Sequence, residues 1–212
     1  MNIGWLKTVS GIATVAFPVL LLTGFALHPK LFSPHMTRTA DDLVAKFHGK
    51  PAFHAGHLIV FLAVPLIILS FVYTEEALRG PGRFLGALGA VIGICGAVVL
   101  AGDKGALCIV LSAFDRLPAA DFAAIRPALQ AIVERRGLLK VFWALPLLPA
   151  GGILQMVGMM KGGLVPRASA AVAIVGLVLL NKPDIDLVSS TGALLMCTAY
   201  VPLGLRVLGG AA

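Results

Sequence analysis

Charge is the scarcest property of this 212-residue chain, with only 13% Asp, Glu, Lys and Arg. Ordinary soluble domains carry roughly 25%, and a mean hydropathy of +0.96 excludes that class. Cysteine is also sparse. Cys95, Cys108 and Cys197 stand singly and mostly within apolar segments, a pattern of small buried hydrophobes that rules out a disulfide framework or a thiolate metal site. Two Trp and two Tyr leave few exposed rings to interleave with basic residues, so nucleic acid is not an expected partner.

What the chain has in abundance is long apolar runs. Those of about 17 or more residues fall near 9–27, 56–74, 84–102, 141–160, 164–180 and 187–208. They predict an all-α, polytopic transmembrane helix bundle of about six spans, forming a single domain in the lipid bilayer. Lys7 precedes the first run as it would in a signal peptide, but the run is long and lacks a small-residue cleavage site before Pro29, so it is read as the first span. Pro18, Pro65, Pro146, Pro149 and Pro202 fall inside spans, where neighbouring helices re-satisfy the freed carbonyls. Gly86, Gly89, Gly93 and Gly96 form a stripe expected to admit a second helix closely, and Gln155 is expected to make an interhelical hydrogen bond.

The connections alternate in length. Loops 28–55 and 103–140 are long and share one side of the membrane, whereas 75–83 and 161–163 are short. Within the second long loop, Phe122, Ile125, Leu129, Ile132 and Val133 recur at helical spacing against Arg126, Glu134 and Arg135 over 119–136. That is the pattern of an interfacial amphipathic helix covering the bundle. Residues 107–114 are apolar but too short to span alone, so they either extend the third helix or re-enter beside it. The short-loop side concentrates Lys7, Arg79, Arg83, Lys161, Arg167 and Arg206, which by the positive-inside rule places both termini in the cytoplasm and the chain in the cell (inner) membrane.

VFLAVPL at 60–66 and VFWALPL at 141–147 share Val, Phe, Ala, Pro and Leu in register. The same offset superposes Asp103 on Asp184, as in two parallel helical hairpins, 56–103 and 137–184.

The six-span arrangement gathers chemistry on one face. In HGKPAFHAGHLIVFLAVPL (48–66), His48, His54 and His57 run into a span, and His28 and His35 follow the first helix. Asp103, Glu134, Asp184 and Asp186 end or precede spans on the same side, while the opposite face has no His and only Glu75 and Glu76. Imidazole beside carboxylate suits a metal ligand set, an oriented base or a proton relay. His28 and His57 are the candidate ligands for haem b, which needs imidazoles on opposite sides of the iron. His54, His57, Asp103 and Asp184 are the candidate ligands for a divalent metal. Ser189 and Ser190 lie in no recognisable nucleophile elbow, so no catalytic residue is assigned.

KGGLVPRASAAVAIVGLVLL, a Gly and Pro-Arg turn opening a small-residue span, together with the His28–Pro29 step closing the first helix, resembles uncharacterised bacterial six-helix integral membrane proteins of the domain-of-unknown-function type. That resemblance implies layout alone, with no activity and no site residue. The expected function is a non-enzymatic accessory or small-ligand-binding membrane component. The alternatives are a haem- or metal-binding redox subunit working with other membrane subunits, and a proton-coupled small-solute transporter.

Overall fold

The computed structural model describes residues 3–28, 37–181 and 185–210. Among these, every regular element is helical. Helix α1 (Ile3–Ala26) leads to a short α2 (Ala40–Phe47), then to α3 (Pro51–Ala77) and α4 (Arg83–Gly105). A π-turn over Ala106–Val110 carries α4 into α5 (Leu111–Phe114), and α6 (Phe122–Val133) follows. A 3-10 helix over Gly137–Ala144 precedes α7 (Leu147–Lys161), and α8 (Arg167–Leu179) and α9 (Asp186–Leu208) complete the chain.

Five stretches are long and apolar enough to cross a membrane: Trp5–Ala26, Pro51–Ala77, Gly80–Phe114, Gly137–Lys161 and Asp186–Leu208. The chain is therefore a multi-pass membrane protein with an all-helical bundle. The span expected at 164–180 is helical only over Arg167–Leu179. At about 20 Å that helix is shorter than a ~30 Å hydrocarbon core.

Small residues set the helix pairings. A Cβ built on Gly24 of α1 would lie 2.8 Å from the Gly56 carbonyl oxygen of α3, and one on Gly204 of α9 would lie 2.8 Å from that of Gly11 in α1. Helix α1 is thus clasped between α3 and α9, with backbones nearly touching. The expected glycine stripe of α4 divides its work. Gly89 and Gly96 face α7 at Gly151 and Leu148, whereas Gly93 receives the Phe71 ring of α3. Gln155 of α7 donates its Nε2–H to the Phe71 carbonyl at 2.8 Å, the interhelical bond its isolation implied.

The long-loop end is roofed by a second core. Leu43 and Phe47 of α2, Phe53 of α3, Leu111 of α5 and Leu129 of α6 are buried together. Helix α6 therefore turns its apolar stripe onto α2, because α2 offers a complementary face. Gln130 fastens the pair: its Oε1 accepts from the Ala40 amide at 2.7 Å, satisfying a donor that the first turn of α2 leaves without an intrahelical partner. Thr39 and Asp42 form a capping box on the same turn, and Arg126 pairs with Asp41. Residues 107–114 extend the third long helix through the π-turn and do not re-enter.

The two VFxAxPL copies adopt different backbones. VFLAVPL lies wholly inside α3, with Pro65 in mid-helix. In VFWALPL the segment is 3-10 up to Ala144, and Pro146 stands at the start of α7, where its missing N–H costs nothing.

Candidate functional site

His28 sits just past the end of α1, and its Nδ1 lies 2.6 Å from Asp186 Oδ1. Asp186 opens α9, where the unpaired amides of a helix N-terminus favour a carboxylate. His57 is nearly two turns into α3 and only 3% exposed. Its Nδ1 is 2.9 Å from the Phe53 carbonyl oxygen. A carbonyl only accepts, so Nδ1 carries the hydrogen and Nε2 is left with its lone pair. The His28 and His57 rings stack at 4.6 Å between centroids, and Phe53 closes on His57 at 4.2 Å.

This stack borders a cavity of about 260 Å³ under the α2–α6 roof. Among the described residues, three basic side chains line it, Lys46, Lys104 and Arg135, against two acidic ones, Asp103 and Asp186. The rest of the lining is mainly apolar, including Leu43, Val110, Leu139 and Phe142. Asp103 is 5% exposed and is held by Lys104 Nζ at 3.2 Å and by an Arg135 guanidinium nitrogen at 3.9 Å. Pairing from both sides makes an acidic group tolerable at this depth.

Arg135 reaches Asp103 from an unusual backbone. Its φ of 52° is left-handed, and among the described residues it is the one non-glycine with positive φ. The Arg136 amide bonds the Ala131 carbonyl and the Arg135 amide that of Ile132, so α6 ends in a Schellman motif with arginine where glycine is usual. The side chain also donates to the Phe142 carbonyl at 3.2 Å and lies 5.1 Å over the Trp143 ring. Just outside the cavity, the Glu134 carboxyl is held below its usual range by the Gln130 hydrogen bond and then by Arg136.

A second polar cluster lies beside the first. Asp115, just after α5, has Oδ1 3.2 Å from His48 Nδ1 and Oδ2 3.3 Å from His54 Nε2. Its Oδ1 also accepts the Gly49 amide at 2.7 Å. The cluster ties the end of α5 to the α2–α3 turn, where Gly49 adopts a φ of 65°. His54 Nδ1 is buried without a hydrogen-bond partner among the described residues.

The residues picked out in the sequence are thus partly united. His57 and Asp103 share the cavity, His54 belongs to the Asp115 cluster, and Asp184 lies outside the described residues, as does His35. Among the described residues no group of three or more His, Cys, Asp or Glu is placed to hold a metal ion. His28 and His57 do meet, but face to face, with the Nδ1 of each engaged. Lys46, Asp115 and above all Arg135, which the sequence marked only as part of the polar face of α6, were not singled out as site residues. The signal for Arg135 was an amphipathic helix whose first turn-compatible glycine, Gly137, comes two residues too late to be its C-terminal cap.

Comparisons of the chain with protein families, with curated proteins and with solved structures find no match.

Proposed function

We propose that this multi-pass membrane protein is a non-enzymatic component that binds a small ligand in the cavity beneath the α2–α6 roof. The observation that carries the reading is the convergence of Lys46, Lys104, Arg135, Asp103 and His57 on one largely apolar cavity of about 260 Å³. A mostly apolar concavity with a few aimed polar groups is the usual form of a small-molecule site. Three local irregularities adjoin it: the π-turn at Ala106–Val110, the left-handed Arg135 and the eight-residue 3-10 helix. Such features persist where the surroundings over-determine them, and they concentrate at functional sites.

Mass spectrometry of an organic extract of the purified protein tests the reading. A small molecule retained at near one per chain, and lost in Leu139→Trp without loss of thermal stability, is the expected result. No retained molecule in the wild type, or equal retention in the variant, overturns it.

Asp103 at the cavity wall favours a proton-coupled solute transporter as the second reading. Transport in proteoliposomes that collapses in Asp103→Asn would replace the first reading with this one.

A further inference from the structure

One wall of the cavity differs from the others. The 3-10 helix Gly137–Ala144 contains no buried residue. With three residues per turn, Leu139, Phe142 and the following Leu145 fall in one stripe, and all three line the cavity. Leu138 and Val141, on the other face, are 95% and 56% exposed. Because this segment opens one of the long apolar stretches, that face meets lipid. A 3-10 run of this length is uncommon, since its hydrogen bonds are poorer than those of an α-helix. A single thin layer therefore separates the cavity from the bilayer, resting on α4 where the Phe142 ring covers Gly102.

The cavity also carries charge, from Lys46, Lys104, Arg135, Asp103 and Asp186, and Arg135 meets the 3-10 wall itself at the Phe142 carbonyl. Asp186 is hydrogen-bonded to His28, and Asp103 is shared between Lys104 and Arg135. Lys46 also lines the cavity and has no ion pair among the described residues. Among the described lining residues, with the imidazoles left out of the count, three cations face two carboxylates. An anion entering there neutralises the surplus, which is worth most where water is excluded. A small inorganic anion would leave the Leu139, Phe142 and Leu145 stripe bare. A neutral apolar molecule would leave the cation unmatched. One molecule with both an anionic head and an apolar chain satisfies the charged and the apolar lining together.

Accepting the cavity as a ligand site, the geometry points to a single-chain anionic amphiphile, of the fatty-carboxylate class, as its ligand. The head lies among Lys46, Lys104 and Arg135, and the chain lies against the 3-10 wall, past which it enters from the bilayer.

Equilibrium binding of radiolabelled dodecanoate to the full chain in phosphatidylcholine nanodiscs tests this, with empty nanodiscs as background and dodecanol and inorganic phosphate as competitors. The expected result is saturable binding near one per chain, with dodecanol about tenfold or more weaker and phosphate without effect. Lys46→Gln and Arg135→Gln each weaken dodecanoate about tenfold, the loss of one charge-assisted contact, and Lys46→Arg restores it. Should an Arg135 variant unfold, the Lys46 pair decides alone.

Dodecanol binding as tightly as dodecanoate overturns the charged head, and phosphate competing as well as dodecanoate overturns the chain; both leave the ligand-site reading standing. Absence of dodecanoate binding in a protein that retains a molecule sensitive to Leu139→Trp overturns the amphiphile alone. Absence of both overturns the amphiphile and the ligand site together.

Discussion

The imidazoles of His28 and His57 lie face to face, their centroids 4.6 Å apart and their planes 19° from parallel. This contact joins the end of α1 to the start of α3, and the His28–Asp186 pair extends the junction to α9. Three long helices are thereby fixed at the end of the bundle where the cavity opens. Removing Asp186 by Asp186→Ala leaves a nearly buried imidazole without its acceptor. We expect a cost of about 2–3 kcal/mol, read as a fall in the thermal unfolding midpoint in detergent. Asp186→Asn, which keeps an acceptor oxygen, is expected to cost less.

Arg135 separates stability from binding. Its φ of 52° strains any residue with a Cβ, so Arg135→Gly removes roughly 1 kcal/mol of backbone cost. The same change deletes the contact to Asp103 and a cavity cation. The expected variant binds anionic ligand more weakly and unfolds later than Arg135→Ala, which loses the same contacts but keeps the strained backbone; paired thermal melts and binding isotherms check both halves.

At the crossing of α8 and α9, a Cβ on Gly176 would stand 2.5 Å from the Gly192 carbonyl oxygen. Backbone cannot yield as a side-chain tip can, so Gly176→Ala forces the helices apart. A loss of about 1–3 kcal/mol follows, measurable by denaturant-dependent unfolding in micelles. Gly163→Ala, in the turn between α7 and α8, meets no atom within 4 Å and tests the alternative mechanism of pure backbone strain at φ 75°.

Gln155→Leu removes the bond to the Phe71 carbonyl in the middle of the bundle. Interhelical bonds of this kind average about 0.6 kcal/mol and rarely exceed about 1.7. A shift in unfolding free energy within that small range is expected, with the ligand isotherm unchanged.

Glu134 gives the roof a pH dependence. Its carboxyl is held below the usual 4.5, first by Gln130 and then by Arg136. A depressed folded value means that the contribution is present above the unfolded value and is lost as pH falls through the folded one. Gln130 also secures the Ala40 amide. Hydrogen exchange at the start of α2 is therefore expected to quicken as pH drops below that range, after correction for intrinsic rates, and Glu134→Gln is expected to flatten the response.

Much of the architecture was legible before any coordinates. The apolar runs located the long helices, the period of Phe122, Ile125 and Leu129 located α6, and the segregation of histidines and acids located the polar end. The boundary errors have local causes. The run at 141–160 contains both a 3-10 helix and an α-helix, which hydropathy does not distinguish. The run at 164–180 owes part of its length to a turn before Arg167.

Composition alone determined that this chain lives in a bilayer as a helical bundle, because a backbone in hydrocarbon must bond within its own segment and an apolar run of sufficient length announces that state locally. Which side chains meet was decided only by the tertiary structure. His28 finds Asp186 from the far end of the chain, His54 finds Asp115, and Arg135 reaches Asp103 because one helix stops in a left-handed turn. Such pairings depend on how helices cross. The crossings are set by close glycine contacts between segments that are distant in sequence, and no local pattern records them.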